Sequence, residues 1–203
     1  KYWYNGIQPF RYWAPLSYYI LAAFQFISGG DAVNAYFIFV IFIFFIGAMG
    51  WLMWGIRGKN VYTALILGIV WFFLPENLKV LFFEGNIPRV VITALLPYLF
   101  YFLWDFVEYG KKWSILPMSF FMVLITMTHL MIAAMLGVAS FIFLFIYSIL
   151  FKKFLKSIRV IAAMLLSYAV CGIWLYPALK GGLASMNSGA TSEVMKSFSA
   201  KFT

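Results

Sequence analysis

Three long stretches of this chain contain no Asp, Glu, Lys or Arg, and they constrain its fold more than any other feature. They cover residues 32–56, 113–151 and 160–179 and consist mainly of aliphatic and aromatic side chains. A helix needs about 20 apolar residues to cross the hydrocarbon core of a bilayer. The whole chain is 65% hydrophobic, whereas a soluble domain is roughly 45–50% apolar. The sequence therefore predicts an all-α integral membrane protein, a polytopic bundle of transmembrane helices in the cell membrane.

The longest stretch, residues 113–151, is too long for one membrane helix. At about 1.5 Å per residue it would extend roughly 58 Å, about twice the thickness of the hydrocarbon core. We therefore expect two helices joined by a turn near His129. The same reasoning along the chain gives six predicted spans, at residues 32–56, 61–74, 90–105, 113–128, 130–151 and 159–179.

A shorter apolar segment, Leu16 to Ser28, precedes the first predicted span. It is too short to cross a bilayer comfortably, and we expect it to lie in the outer interface of the membrane. The chain then divides into an external segment (1–31) with this interfacial helix, a transmembrane domain (32–179) and an external flexible tail (180–203). Because the chain starts at Lys1 without an initiator Met, we expect it to be a piece of a larger protein.

The Lys and Arg residues set the predicted orientation. With six spans, eight of the 15 fall in short loops on one side of the membrane, and the other seven fall in longer segments on the opposite side. Short cytoplasmic loops of membrane proteins are rich in Lys and Arg, so the first side is predicted to be cytoplasmic. The net charge of +9 is then mainly an orientation signal, and we expect no nucleic-acid partner. The predicted cytoplasmic set is Arg57, Lys59, Lys111, Lys112, Lys152, Lys153, Lys156 and Arg159.

The predicted external connection at residues 75–89 concentrates the polar residues that could form a site. Glu84 precedes Gly85 and Asn86 in a tight turn, where its carboxylate could bind a cation or orient a hydroxyl group. Arg89, at the start of the next span, could pair with a phosphate. The alternative is that the charged residues of this connection only solvate a loop. These residues are Glu76, Lys79, Glu84 and Arg89.

Other polar residues have simpler interpretations. His129, the single histidine, could titrate, contact a phosphate or cap a helix, and alone it cannot form a three-ligand zinc site. Asp31 is predicted to cap the first span. Asp105 and Glu108 are predicted to pair with Lys111 and Lys112. Ala133 and Gly137 form a small-xxx-small pair, which is a sign of close helix packing.

Several local motifs together resemble a known family. They are Arg11-Tyr12-Trp13-Ala14-Pro15-Leu16-Ser17-Tyr18-Tyr19, Gly29-Gly30-Asp31, Trp54-Gly55-Ile56-Arg57-Gly58, Leu74-Pro75-Glu76-Asn77 and Glu84-Gly85-Asn86-Ile87-Pro88-Arg89. In this arrangement the chain resembles the bacterial and archaeal membrane proteins related to 6-pyruvoyl-tetrahydropterin synthase, which are similar to GT-C glycosyltransferases. A pterin synthase uses zinc bound by three histidines, so the single histidine argues against pterin chemistry in this segment.

The GT-C resemblance implies sugar transfer from a polyprenyl-phosphate donor to an extracytoplasmic acceptor. It implies a catalytic Asp upstream of Lys1, a second catalytic carboxylate at Glu84, and a divalent cation as a candidate cofactor. The residues implied to bind substrate are Arg89, His129, Asn86, Glu76 and Arg11.

Two other functions compete with the glycosyltransferase hypothesis. A non-catalytic subunit or scaffold of a polysaccharide- or lipid-handling complex would fit the scarcity of acids, six in 203 residues, none in the centre of a predicted span. Its partners would be other membrane subunits as well as membrane lipids. A transporter is a weaker hypothesis. Transporters usually carry charged or broken-helix sites at the bilayer midplane, and the sequence gives no convincing site of this kind.

Overall fold

The structure, a computed structural model, describes residues 13–178 and Lys180, and in this part of the chain the regular structure is entirely helical. The prediction of an all-α fold is confirmed. Arg11, the rest of residues 1–12 and the tail beyond Lys180 lie outside the described residues. The helices are α1 (Leu16–Ile27), α2 (Ala32–Arg57), α3 (Val61–Phe72), α4 (Pro75–Phe82), α5 (Ile87–Val107), α6 (Ile115–Thr128), α7 (Leu130–Phe151), α8 (Phe154–Val170) and α9 (Gly172–Ala178).

Three of these helices, α2, α5 and α7, are individually long and apolar enough to cross a membrane. Two further pairs qualify only when combined: α3 with α4, bent by 52°, and α8 with α9, bent by 58°. Helix α6 is apolar but short, even with the 3-10 turn at Lys112–Ser114 that precedes it. The described residues therefore contain three to five candidate spans, and the count of six remains a prediction.

The structure corrects the prediction that residues 75–89 form a loop, because the first half of this connection is helix α4. Its sequence contains ordinary signals for a short helix. Pro75 occupies the first turn, Glu76 lies near the amino-terminal end and Lys79 lies near the carboxyl-terminal end. The side chains of Val80 and Leu81 are buried, so packing against the bundle stabilises a helix too short to be stable alone.

The last predicted span also differs from the observed helices. The prediction covered residues 159–179, but α8 begins at Phe154 and ends at Val170, and α9 follows after a break at Cys171. Gly172 opens α9 and Pro177 lies inside it. Because glycine and proline are the poorest helix formers, a break at this point is physically reasonable.

Helix α5 is the centre of the bundle. It packs against α1, α2, α4, α6 and α8, and 67% of its most apolar window is buried, compared with 22% for α2 and for α7. The outer faces of α2 and α7 are rich in exposed aliphatic and aromatic residues, such as Ile41, Phe45 and Phe145. In a membrane these faces would contact lipid, since lipid tails solvate such side chains as well as a protein core does.

Proline at position 97 interrupts the hydrogen bonding of α5. Because proline has no backbone N–H, the carbonyl of Thr93 loses its helical donor. The indole Nε1–H of Trp71 on α3 donates to this carbonyl at 2.9 Å. From α2, Trp54 Nε1–H donates to the Pro97 carbonyl at 3.0 Å. These bonds attach α2 and α3 to α5 in a region where water cannot satisfy a free carbonyl.

Two smaller predictions are confirmed. The carboxylate of Asp31 caps α2, accepting from the backbone N–H groups of Val33 at 2.9 Å and Asn34 at 3.2 Å. The Ala133 and Gly137 pair marks close packing of α7 against α8. The Tyr168 hydroxyl donates to the Ala133 carbonyl at 2.5 Å, and a Cβ added at Gly137 would lie 2.6 Å from that hydroxyl oxygen.

Candidate functional site

The turn between α4 and α5 positions Glu84 at the predicted outer end of the bundle. Gly85 has φ of +57°, a left-handed conformation that glycine adopts without strain. The side chain of Asn86 accepts from the Arg89 backbone N–H at 3.3 Å and caps α5. The sequence correctly predicted a tight turn at Gly85-Asn86, and the structure gives Asn86 a capping role.

Glu76, Lys79, Glu84 and Arg89 form one group of charges, which we call the outer charge cluster. Arg89 donates from Nη1 to Glu84 Oε2 at 3.0 Å and from Nη2 to Glu76 Oε1 at 2.9 Å. Lys79 Nζ lies 3.6 Å from Glu84 Oε1. The hydrogen bond from Arg89 lowers the pKa of Glu76, so this carboxylate is ionised at neutral pH. Two carboxylates and two cations leave the cluster without net charge.

A cleft of about 600 Å³ lies beside this cluster. We call it the outer cleft; its walls come from the start of α1, the turn between α4 and α5, and the junction of α6 with α7. Of the predicted site residues, Glu84, Asn86 and His129 line it, while Glu76 and Arg89 do not. The structure thus brings together residues that are 45 positions apart in the chain (129 − 84). The lining residues are Trp13, Ala14, Tyr18, Glu84, Gly85, Asn86, Ile87, Pro88, Thr128, His129, Leu130, Met131 and Ala134.

His129 separates α6 from α7 and faces the outer cleft. Its backbone is extended, and its Nδ1 accepts weakly from the Ile132 N–H at 3.4 Å, which caps α7. A neutral histidine whose Nδ1 accepts carries its proton on Nε2. Burial lowers the pKa of His129, and the positive charge of Arg89 lowers it further. At neutral pH, His129 is therefore an uncharged group that can offer an Nε2–H donor to a ligand.

The sequence did not identify the α1 side of the cleft. Trp13 and Tyr18 line this wall, but the sequence indicated them only as part of the motif at residues 11–19 that resembles a known family. Their position depends on packing of α1 against α5 and α6, which no local pattern encodes. Among the described residues, no three His, Cys, Asp or Glu side chains come together as a metal site would require.

A second polar group lies at the other end of α5. Asp105 is fully buried and forms an ion pair with Arg57 of α2. It also lies 3.5 Å from Lys111 Nζ and accepts from the Ser114 hydroxyl. The predicted pairing of Asp105 with Lys111 is therefore observed. Glu108 instead pairs with Lys153, at 3.2 Å. Local sequence patterns do not indicate this partner, because it is 45 positions away in the chain.

Comparison with known proteins gives a family match. The family model described as 6-pyruvoyl-tetrahydropterin synthase related domain, a membrane protein, matches residues 10–203 of the chain. No curated protein and no solved structure matches this chain.

Proposed function

This chain belongs to the 6-pyruvoyl-tetrahydropterin synthase related family of membrane proteins, and we propose that it is a membrane-embedded, glycosyltransferase-like protein. Its donor would be a sugar linked to polyprenyl phosphate, bound at the outer cleft, with six helices crossing the membrane. The observation that carries the proposal is the meeting of Glu84, Asn86 and His129 in one cleft of about 600 Å³ at the end of apolar helices. At the end of membrane-spanning helices, such a cleft would be open to a lipid-linked donor from the membrane and to an acceptor from water.

The chemistry assigned to these residues is displacement at the anomeric carbon of the sugar. The acceptor hydroxyl oxygen forms the new bond to this carbon, and the bond from carbon to the phosphate oxygen breaks with its electron pair on the leaving phosphate. Glu84 accepts the hydroxyl proton. The Nε2–H of His129 donates to the departing phosphate, whose growing charge makes this hydrogen bond stronger in the transition state.

The outer charge cluster supports these roles by holding Glu84 in place. Arg89 and Lys79 both contact its carboxylate, and these contacts fix the carboxylate at the edge of the cleft. The positive charge of Arg89 also acts on His129, where it favours the neutral ring assigned to the phosphate. A divalent cation is a candidate cofactor, and Glu84 is the carboxylate in the cleft that could contact it.

The test is sugar transfer by Glu84→Gln and His129→Asn variants in membranes with a polyprenyl-phosphate sugar donor. We expect Glu84→Gln to lower transfer about 100-fold or more, the usual cost of losing a general base. The matched control is Glu108→Gln, since this carboxylate is also paired with a cation but lies at the other end of α5. Transfer at the unsubstituted rate in both cleft variants would overturn the proposal.

A second candidate function is a non-catalytic subunit of a lipid- or polysaccharide-handling complex. The observation that favours it is the complete internal pairing of Glu76, Glu84 and Arg89, which leaves these charges satisfied without a ligand. A photoreactive polyprenyl-phosphate probe distinguishes the two functions. Labelling of residues in the outer cleft supports the enzyme, whereas absence of labelling, together with co-purification of other membrane subunits, supports the scaffold.

A further inference from the structure

A second cavity lies at the predicted cytoplasmic end of the bundle, between α5 and α7. It is a groove of about 320 Å³, which we call the inner groove. Its walls are almost wholly apolar. The apolar lining consists of Trp104, Phe143, Ile146, Leu150 and Phe151. Ile146, Leu150 and Phe151 are each at least half exposed, so the groove is open along α7.

One end of the inner groove is polar. Tyr147 and Glu108 line it there, and the Tyr147 hydroxyl donates to the Glu108 carboxylate. Lys153 Nζ completes the group, donating to the Tyr147 hydroxyl at 2.9 Å and to Glu108 at 3.2 Å. The groove therefore has a long apolar part and a polar mouth, which is the division found in a phospholipid.

The charge at this mouth is positive. Lys152, Lys153 and Lys156 lie within five residues where α7 ends and α8 begins, and Glu108 is the acid beside them. Lys156 reaches the end of α5, donating to the Val107 carbonyl at 3.1 Å. Lys152 has no ion-pair partner among the described residues. Three positive charges against one negative charge leave an excess of two.

We propose that the inner groove binds an acidic phospholipid. One acyl chain lies against Trp104, Ile146 and Leu150, and the anionic headgroup contacts Lys152 and Lys153. Charge complementarity favours this occupant over an uncharged lipid, which would fill the apolar part but leave the positive excess unmatched. Each basic residue near an anionic lipid surface strengthens binding about fivefold. The inference is independent of the proposed function, since it concerns the opposite end of α5.

Native mass spectrometry of the purified chain in an uncharged detergent tests this proposal. The probe is an equimolar mixture of phosphatidylglycerol and phosphatidylcholine, and bound lipids are counted directly. We expect phosphatidylglycerol to be retained at least fivefold over phosphatidylcholine. Substituting both Lys152 and Lys153 by Gln should abolish this preference, whereas the same charge loss at Lys59 and Lys112 should leave it intact. Equal retention by the unsubstituted chain, or a preference unchanged by the first pair, would overturn the proposal.

A second pair of variants tests the groove itself. Ile146→Trp should fill it and reduce retention of both lipids, whereas Ile149→Trp should not, because Ile149 does not line the groove. The two residues are matched, since both are on α7 with exposed fractions of 50% and 53%. Tryptophan fluorescence on heating verifies that each variant is folded. Equal lipid retention by the two variants, or a second copy of the chain bound in place of lipid, would contradict the assignment.

Discussion

Single side chains in this protein act where the helical backbone cannot satisfy its own hydrogen bonds. The indole of Trp71 replaces the donor that Pro97 removes from α5, at the carbonyl of Thr93. Asn77 acts similarly near the end of α3, donating to the Trp71 carbonyl at 2.6 Å. Such contacts stabilise a membrane helix because an unpaired carbonyl in hydrocarbon has no water to bind.

Trp71→Phe should destabilise the protein by about 1–2 kcal/mol more than Trp51→Phe. The two indoles pack against each other, but Trp51 Nε1 has no hydrogen-bond partner among the described residues, so its replacement removes only packing. Denaturant unfolding in detergent measures the difference. In a Pro97→Ala background the difference should shrink, because alanine restores a backbone donor for Thr93. An undiminished difference there would contradict this explanation.

The pKa of His129 predicts how stability depends on pH. Burial and the nearby Arg89 lower this pKa below the ordinary 6.5, so the folded protein favours the neutral ring. As pH falls below about 6.5, the unfolded chain binds a proton before the folded chain does, and stability decreases until pH passes the folded pKa. His129→Asn keeps a side chain suited to capping α7 and should remove this decrease.

The melting temperature of both proteins between pH 8 and pH 5 tests that prediction. His129 is the one histidine in the sequence, which simplifies the assignment. Identical slopes for the unsubstituted chain and His129→Asn would show that another group titrates.

Helices were predictable where their ends carry charge or turn residues, and less so where packing sets the ends. Asp31 and Arg57 bracket α2 in the sequence as they do in the structure. Helix α4 was not predicted because its polar residues suggested a loop. Burial of Val80 and Leu81, which depends on packing against α5, stabilises the helix instead. The candidate site follows the same rule. The Gly85-Asn86 turn is local and was predicted, but its meeting with His129 and Trp13 depends on how the helices pack.

The contact between α2 and α3 gives a test at the level of helix packing. A Cβ added at Gly55 would lie 2.7 Å from the Ala64 Cβ and 3.0 Å from the Val61 Cα. Neither atom belongs to a flexible side chain, so α3 itself must move. Gly55→Ala should cost about 1–3 kcal/mol of unfolding free energy. Gly172→Ala is the control, because nothing lies within 4 Å of its added Cβ. Equal stability of the two variants would show that α2 and α3 separate easily.

The described part of the molecule is a central helix, α5, packed among helices whose outer faces are rich in exposed apolar side chains. Basic residues gather at one end, where Arg57, Lys111 and Lys153 pair with Asp105 and Glu108. The remaining cations at that end include Lys59, Lys112 and Lys152. The structure thus brings these cations to one end of the bundle, and the cytoplasmic location of that end remains a prediction from the distribution of Lys and Arg.

Labelling of single cysteines with an impermeant maleimide tests the six-span topology. In a Cys171→Ala background, Lys79→Cys should react in intact cells. Lys112→Cys and Lys152→Cys should react only after the membrane is opened. The result depends on whether α6 crosses the membrane. Helix α7 is long enough to cross by itself. If α6 does not cross, Lys112 and Lys152 therefore lie on opposite sides of the membrane. Reaction of just one of these two in intact cells would contradict six spans.

The hydrogen bond from Trp71 to Thr93 also has a mechanical consequence. It joins α3 to the half of α5 that carries Arg89, while the buried Asp105 and Arg57 pair clamps the opposite half to α2. Between these two attachments lies Pro97, where the α5 backbone lacks one internal bond. If a ligand in the outer cleft tilts the amino-terminal half of α5, the helix would therefore bend at Pro97, and α3 would move together with that half.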